Sequence, residues 1–298
     1  MRLLITGASG FIGARLTRRL AAVGHEVFAV YREASRRAEH GAPVVWDLGA
    51  AVPLELPPRL DGIAHLAQSR NYSRFPIDAP EMFRVNVAGT AALLQFAAEA
   101  GVETVSLISS GTVYEPYTGE ISEEAPLQPT SFLGASKLAA EVLARPYAGV
   151  FRLSILRLFF PYGPGQEARL VPELVNRLRG GAPIQLAEDG EGLRLVPTFV
   201  DDVVDIIAAA LEQRWCGTYN VASPAVVSLR QLADAIAQVL GASPVFELTD
   251  RPATAIVPRI DRLRTMFDLG GLTPLRIGIE RTLQGKAPKA SAPLPGGN

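Results

Sequence analysis

The hydrophobic positions in the first half of the chain follow two alternating spacings. Short, nearly continuous apolar runs are typical of buried strands, and longer stretches with apolar positions three and four residues apart are typical of helices. The short runs predict strands over residues 2–5, 26–31, 43–46, 62–66, 104–109 and 151–159. The longer stretches predict helices over residues 11–23, 80–100 and 131–144. This alternation predicts a doubly wound α/β fold with a parallel sheet covered on both faces.

The pattern changes after residue 163, where helices are separated by fewer and shorter apolar runs. Helices are predicted over residues 167–179, 201–212, 229–240 and, in pieces, 259–282, with a short strand at 183–186. We divide the chain into a sheet domain (1–163, plus a returning strand near 217–222), a smaller cap (164–285) and a tail (286–298). Nine of the thirteen tail residues are Pro, Gly, Ala or Ser, and almost none can contribute to a core, which predicts disorder.

Composition and charge exclude several classes of protein. The 298 residues carry 29 Lys and Arg against 30 Asp and Glu, so the basic excess of a nucleic-acid-binding protein is missing. The single Cys216 fits a reducing compartment, and no apolar run is long enough for a membrane helix. A predicted strand begins directly after Met1, so we expect no signal peptide, a cytoplasmic location and no membrane partner. No His, Cys and Asp cluster has metal-ligand spacing, so no metal is expected.

A glycine-rich loop joins the first predicted strand to the first predicted helix. It reads Thr6-Gly-Ala-Ser-Gly-Phe-Ile-Gly13, with its glycines three residues apart. Glycines at such a turn let the backbone approach a pyrophosphate, and the helix N-terminus offers it free N–H groups. We therefore predict a Rossmann-type dinucleotide site whose phosphate contacts come from Gly7, Ser9, Gly10, Phe11, Ile12 and Gly13.

The end of the second predicted strand bears on the choice between NADP and NAD. Arg32 lies there, and its guanidinium complements a 2′-phosphate, which favours NADP. Glu33 follows it and fits the alternative, because a carboxylate at this position binds the ribose hydroxyl of NAD.

Further short motifs follow the glycine loop, and their order and spacing along the chain are specific to one protein family. They are Asp47-Leu48, His65-Leu66-Ala67, Asn86 to Thr90, Ile108 to Tyr114, Leu156-Arg157, Tyr162 to Gly165, Asp201-Asp202, Tyr219 to Val221 and Thr273 to Leu275. With the glycine loop, they make the chain resemble the extended short-chain dehydrogenase/reductase family, in its NAD-dependent epimerase/dehydratase group. The resemblance covers residues 1–285.

The resemblance implies a nucleotide-sugar substrate in the cap, modified by hydride transfer, and a homodimer formed through the long helix before the fifth strand and the helix that holds Lys137. It implies that Asp47 and Leu48 contact the adenine and that Leu66, Ala67 and Asn86 lie beside the cofactor. It further implies that Ser110, aided by Thr112, holds the substrate oxygen, while Lys137 holds the nicotinamide ribose. Lysine is otherwise confined to the tail, at Lys286 and Lys289; codon bias explains the scarcity but not the retention of Lys137.

One position departs from the family pattern at the centre of the chemistry. The family places a tyrosine four residues before the lysine as proton donor and acceptor, and this chain has Leu133 there. We expect an enzyme in which another group moves the proton. The candidates are Ser110, Thr112, Tyr72, Tyr114, Tyr162 and a water on Lys137. The alternatives are a protein that binds cofactor and ligand without turnover, and an engineered Tyr-to-Leu variant.

The substrate side departs from the family as well. Phe159-Phe160-Pro161 stands where the family often has an asparagine near the nucleotide phosphates. Arg194 and Arg251 lie at intervals similar to those of the family, and two arginines would clamp a diphosphate. The reactions we expect are reduction of a 4-keto sugar or epimerisation.

Overall fold

A computed structural model describes residues 1–33, 39–53, 56–57, 59–117 and 120–285. The strands of this part of the chain are β1 (Arg2–Thr6), β2 (Glu26–Tyr31), β3 (Ala42–Val45), β4 (Gly62–His65), β5 (Thr104–Ser110), β6 (Arg152–Leu158), β7 (Pro161–Tyr162), β8 (Ile184–Leu186), β9 (Arg194–Leu195), β10 (Thr198–Phe199), β11 (Gly217–Val221), β12 (Val227–Ser228) and β13 (Phe246–Leu248). Its α-helices are α1 (Gly13–Ala22), α2 (Ala79–Met82), α3 (Gly89–Glu99), α4 (Phe132–Ala144), α5 (Leu170–Gly180), α6 (Val200–Glu212), α7 (Leu229–Leu240), α8 (Asp261–Met266) and α9 (Leu275–Gln284).

Seven strands form one parallel sheet in the order β3-β2-β1-β4-β5-β6-β11. The doubly wound α/β fold predicted from the sequence is confirmed. The chain moves outward from β1 to β3 and then returns to the other side of β1, so the order reverses between β1 and β4. Loops diverge at such a reversal and leave a crevice beyond the carboxyl ends of the strands.

Apolar side chains fill both faces of this sheet. On one face, Leu16 and Leu20 of α1 pack with Ile206 and Ile207 of α6 over the buried strands. On the other face, Leu93 of α3 belongs to a second buried cluster. Strands buried on both faces need apolar residues at almost every position, which is why the sequence shows runs there rather than alternation.

The segment predicted as a helix over residues 80–100 is helical throughout residues 79–99, but its middle is π-helical. α2 ends at Met82, a π-helical segment occupies Phe83–Ala88, and α3 begins at Gly89. Asn86 lies within the wider π turn, where its side chain is buried. Hydrophobic periodicity does not distinguish a single π turn from the α-helix around it, and such turns are frequent at functional sites.

The remaining strands form three small two-stranded sheets, β7 with β10, β8 with β13, and β9 with β12. Their residues pack with α5, α7 and α9 around Leu174, Leu186, Leu232 and Ile279. Strands of two or three residues are too short to show a period, so the sequence pattern missed most of them. The division into a sheet domain and a cap stays a prediction, and the predicted disordered tail lies outside the described residues.

Within the described ranges, no helix combines the length and the apolar character that a bilayer crossing demands.

Candidate active site

A cavity of about 1200 Å³ opens beyond the carboxyl ends of the sheet. Every predicted cofactor residue except Asn86 lines it, from the glycine loop through Arg32, Asp47 and Leu66 to Lys137. The three predicted catalytic residues, Ser110, Thr112 and Lys137, line the same cavity. The fold therefore brings the expected cofactor groups and the expected reactive groups into one chamber.

The glycine loop has the geometry of a phosphate cradle. Gly7 has a φ of +68°, and a Cβ there would lie 2.9 Å from the backbone nitrogen of Ala67. A Cβ on Gly13 would lie 2.2 Å from the carbonyl oxygen of Gly7, so the loop packs on α1 only if this residue is glycine. A Cβ on Gly10 would contact only that same oxygen, and its remaining surroundings are open. The loop thus fits a pyrophosphate laid against it at the start of α1.

Charged side chains surround the end of the cavity beside β2 and β3. Both carboxylate oxygens of Asp47 accept hydrogen bonds from Arg84 Nη1 at 2.9 Å. Burial alone would raise the pKa of Asp47, but the hydrogen bonds from Arg84 and from the Gly49 N–H outweigh burial and lower it. Asp47 therefore remains a carboxylate that can accept a further hydrogen bond from a ligand.

His65 is a structural residue. Thr6 Oγ1 accepts from the Ala67 N–H and lies 2.7 Å from His65 Nδ1, while Thr90 Oγ1 donates to the Asn86 carbonyl and lies 2.9 Å from His65 Nε2. The two hydroxyls fit a neutral imidazole protonated on Nε2. Burial and the positive charge of Lys137 lower the pKa of His65 to about 3, so it stays neutral.

Asn86 is buried beside the cavity and does not line it. Its Oδ1 accepts from the Ser69 N–H at 2.8 Å, and its Nδ2 donates to Ser136 Oγ at 2.9 Å. Ser136 Oγ in turn donates to the carbonyl oxygen of Leu133. Asn86 therefore connects the loop after β4 to the first turns of α4, which makes it a positioning residue.

The other end of the cavity, here called the reaction end, contains Ser110, Thr112, Leu133 and Lys137. Lys137 is buried, and its Nζ donates to the Ile108 carbonyl at 3.0 Å. Burial lowers the pKa of Lys137 to about 8, although the carboxylate of Glu141 one turn later opposes the shift. The Ser110 hydroxyl accepts from the Thr112 N–H at 3.2 Å, and Thr112 Oγ1 has no partner among the described residues.

Two of the tyrosines proposed as substitutes for the missing phenol donate their hydroxyls to other protein groups, although Tyr162 also lines the cavity. Tyr114 donates to Asn220 Oδ1, and Tyr162 donates to the Leu275 carbonyl. Tyr72 lines the cavity under the guanidinium of Arg169, and Tyr117, which the sequence reasoning missed, lines it as well. Burial, with the Glu115 charge, raises the pKa of Tyr117 to about 12, so its phenol stays protonated at neutral pH.

A family model described as "NAD dependent epimerase/dehydratase family" matches residues 3–222. The chain belongs to this family. It is 36% identical over 311 aligned positions to a UDP-glucose 4-epimerase of Mycolicibacterium smegmatis, covering 95% of this chain and 98% of the relative. It is 28% identical to a dTDP-glucose 4,6-dehydratase of Streptomyces griseus, covering 90% of this chain and 88% of the relative. The resemblance inferred from the motifs is confirmed.

Solved structures agree with this family assignment. A structure of MoeE5 in complex with UDP-glucuronic acid and NAD superposes with a TM-score of 0.80 at 27% identity, covering 95% of this chain and 98% of that one. The seven-stranded sheet and the crevice beside β1 and β4 are thus those of an epimerase/dehydratase.

The two arginines predicted to bind the substrate phosphates in this epimerase/dehydratase chain lie outside the cavity. Neither Arg194, on β9, nor Arg251, on an exposed segment before α8, lines the cavity as the described residues define it. Arg169, directly before α5, does line it, and its guanidinium lies 4.8 Å from the ring centroid of Tyr72. The substrate roles of Arg194 and Arg251 stay predictions.

Two more arginines line the cavity near the glycine loop. Arg70 Nη2 donates to Ser9 Oγ at 3.4 Å, and Arg15 donates to the carbonyls of Phe11 and Pro164. Arg15 follows the loop by two residues in sequence, whereas only the fold brings Arg70 to the loop. Among the described residues, no group of three or more His, Cys, Asp or Glu side chains is arranged to hold a metal ion.

Proposed function

We propose that the protein modifies a nucleotide-linked sugar by reversible hydride transfer, as a 4-ketoreductase or a 4-epimerase that uses a nicotinamide dinucleotide. The observation that most supports this function is that one cavity contains the glycine loop at one end and Ser110, Thr112 and Lys137 at the other. The UDP-glucose 4-epimerase relative and the MoeE5 complex with UDP-glucuronic acid and NAD support the substrate class.

The chain's own groups would hold both reactants. The glycine loop and the N-terminus of α1 bind the pyrophosphate, and Asp47 accepts from the adenine. Lys137 holds the nicotinamide ribose, and Ser110 with Thr112 holds the reacting sugar oxygen. When bound, the nicotinamide supplies reversible hydride transfer. Arg169 is the arginine best placed for the substrate diphosphate, because it lies in the cap segment that lines the cavity.

Lys137 supplies the proton to the reacting sugar oxygen, relayed by a bound water or by the Ser110 hydroxyl. The tyrosine position holds Leu133, and Tyr114 and Tyr162 are hydrogen-bonded elsewhere. A lysine whose burial has lowered its pKa to about 8 exchanges a proton near neutral pH, which an ordinary serine or threonine hydroxyl does not. When a ketone is reduced, the sugar oxygen gains this proton; in the oxidative direction, neutral Lys137 accepts it.

The distribution of carboxylates supports reduction or epimerisation over dehydration. Removing water from a sugar needs an acid and a base in addition to the hydride step. In the described part of the chain, the carboxylates that line the cavity are Glu33, Asp47, Glu81 and Glu167. The first three lie at the adenosine end, around the ends of β2 and β3, and Glu167 lies on an exposed loop. The reaction end is left with Ser110, Thr112 and Lys137.

The cofactor is NAD or NADP, and of these we favour NAD. The sequence indicated NADP through Arg32, but the guanidinium of Arg32 is paired with the Glu33 carboxylate at 3.4 Å. A positive charge already paired attracts a 2′-phosphate less strongly. The relative MoeE5 was solved with NAD.

A second candidate function is binding of cofactor and sugar nucleotide without turnover. Leu133 favours it, because the usual proton relay of the family is incomplete without a phenol at that position. In this case the protein would act as a sensor of the ligand or as a partner subunit of another enzyme.

Turnover with matched substrates distinguishes the two functions. The purified protein is incubated with NAD(H) or NADP(H) and with UDP- and dTDP-hexoses or their 4-keto derivatives. Nicotinamide absorbance reports reduction, and chromatographic separation of the sugar epimers reports epimerisation, which regenerates its cofactor and leaves absorbance unchanged. Product from either assay supports the enzyme. Tight cofactor binding without product from any substrate supports the second candidate.

We also propose a homodimer formed through the face of α3 and α4. Phe83, Val142 and Leu143 are large apolar side chains exposed at the π segment and on α4. Sedimentation equilibrium tests this: Val142→Glu with Leu143→Glu should convert a dimer to a monomer, and a wild-type monomer would contradict the proposal. The cytoplasmic location stays a prediction.

A further inference from the structure

We propose that Glu81, together with Glu33, selects NAD over NADP by neutralising Arg32 and repelling a 2′-phosphate. The inference rests on the dinucleotide site proposed above and identifies its specificity residues. Glu81 belongs to α2, far along the chain from the strand end where cofactor choice is normally set.

The three side chains form one cluster on the cavity wall. Arg32 Nη2 lies 3.4 Å from Glu33 Oε1, and Arg32 Nη1 lies 3.9 Å from Glu81 Oε1. All three line the cavity. Asn71 Nδ2 donates to the second oxygen of Glu81 at 2.7 Å, which fixes the Glu81 carboxylate on the side of Arg32. The guanidinium is therefore held between two carboxylates.

The local charge balance opposes a 2′-phosphate. Arg32 contributes one positive charge against two negative charges from Glu33 and Glu81, while Asp47 and Arg84 neutralise each other. A phosphate monoester carries about two negative charges near neutral pH. It would meet a cluster that is already net negative. The 2′-hydroxyl of NAD is neutral and can donate a hydrogen bond to a carboxylate.

The size of the effect follows from Coulomb's law. We take a 2′-phosphate with two negative charges about 6 Å from the Glu81 carboxylate, in a dielectric similar to water. The repulsion between them is enough to raise the Kd for NADP roughly tenfold. The interaction is screened once the Debye length falls below this separation, so the effect should shrink in concentrated salt.

The test compares NADPH and NADH binding in Glu81→Gln, with nicotinamide fluorescence as the readout at low ionic strength. The amide keeps the size of the side chain and one acceptor oxygen while removing its charge. We expect the Kd for NADPH to fall roughly tenfold, the Kd for NADH to change less than twofold, and the difference to diminish in high salt. Glu33→Gln combined with Glu81→Gln should strengthen NADPH binding further.

Glu280→Gln is the matched control, because it removes one carboxylate from an exposed pair with Arg276 that does not line the cavity. It should leave both dissociation constants unchanged. A wild-type preference for NADPH would overturn the inference, and so would an unchanged NADPH-to-NADH ratio in Glu81→Gln or an equal loss of both cofactors. If wild-type protein binds neither cofactor, the proposed function fails as well, and the two failures are thereby distinguished.

Discussion

The two ends of the cavity differ in how closely they keep the family's chemical groups. The end that contains the glycine loop has the three-spaced glycines, Asp47 held as a carboxylate, and several charged side chains from different elements. The reaction end has Ser110 and a buried Lys137, and a leucine where the family has its phenol. We therefore expect substitutions at the two ends to affect cofactor binding and turnover separately.

The scaffold under the reaction end is intact despite the change at Leu133. Arg157 and Glu141 form a fully buried ion pair at 2.6 Å, and Ser109, next to Ser110, donates to Glu141. Arg157 also donates to the Tyr114 hydroxyl. This network fixes β5 and β6 against α4, so Ser110 and Lys137 keep their relative placement without help from a phenol.

The largest effect should come from Lys137→Met, which keeps the length of the side chain and removes its charge. If Lys137 is the proton source, kcat should fall by about 10²–10⁴-fold, the usual contribution of general acid–base catalysis. Steady-state kinetics with a 4-keto sugar nucleotide measures this. Unchanged thermal unfolding would show that the loss is chemical, and kcat within tenfold of wild type would refute the role of Lys137.

The second-largest effect should be a loss of stability when the buried pair of Arg157 and Glu141 is broken. Arg157→Met removes the buried cation of Glu141 and leaves that carboxylate only the half-exposed Arg145, 3.6 Å away, so the free energy of unfolding should fall by about 3 kcal/mol. Urea denaturation followed by circular dichroism measures the change. The control is Arg276→Met, whose pair with Glu280 is exposed and should contribute at most about 1 kcal/mol. Equal effects of the two variants would show that the buried pair contributes no more to the free energy of unfolding than the exposed pair does.

Gly13→Ala should affect the binding end. The new Cβ would lie 2.2 Å from the Gly7 carbonyl oxygen, so the loop must shift away from α1. Such overpacking costs about 1–3 kcal/mol, equivalent to roughly a tenfold to hundredfold loss of cofactor affinity if the strain falls on the loop. Fluorescence titration with NADH measures it. Gly149→Ala, where a Cβ meets no atom within 4 Å, should leave binding unchanged, and equal binding by both variants would remove the glycine loop from the site.

The smallest effect should come from Leu133→Tyr. If Lys137 already exchanges the proton, adding the phenol should change kcat less than tenfold. A gain of several powers of ten would show instead that the chain is an inactivated enzyme whose only defect is this residue. Parallel NADH titrations would show that the substitution leaves cofactor binding intact.

Most of the central sheet and the glycine loop could be predicted from the sequence, for a different physical reason in each case. The sheet strands are buried on both faces and so appear as apolar runs, and the glycine spacing predicts the loop that the fold places at the cavity. The family resemblance, applied to the position of Lys137, identifies Leu133 as the place where the family has its tyrosine. The π turn at Asn86 could not be predicted, because one π turn leaves the hydrophobic spacing of the surrounding helix almost unchanged.

The charged residues of the site show the same limit. Arg32 alone favours NADP, and our proposal for NAD depends on Glu81, which only the fold brings to the other side of the guanidinium. Arg70 and Arg169 reach the cavity only through the loop after β4 and the cap. Nothing in their spacing distinguishes them from the many exposed arginines of this chain.

The most direct test of the account is the pH dependence of kcat/KM for reduction of a 4-keto sugar nucleotide. Ketone reduction needs protonated Lys137, whose pKa is lowered by burial to about 8. The rate should therefore be constant below that pH, fall as pH rises through it, and lose this limb in Lys137→Met. In the oxidative direction the same limb should rise. A rate that does not change across this range, or a limb that persists in Lys137→Met, would contradict the account.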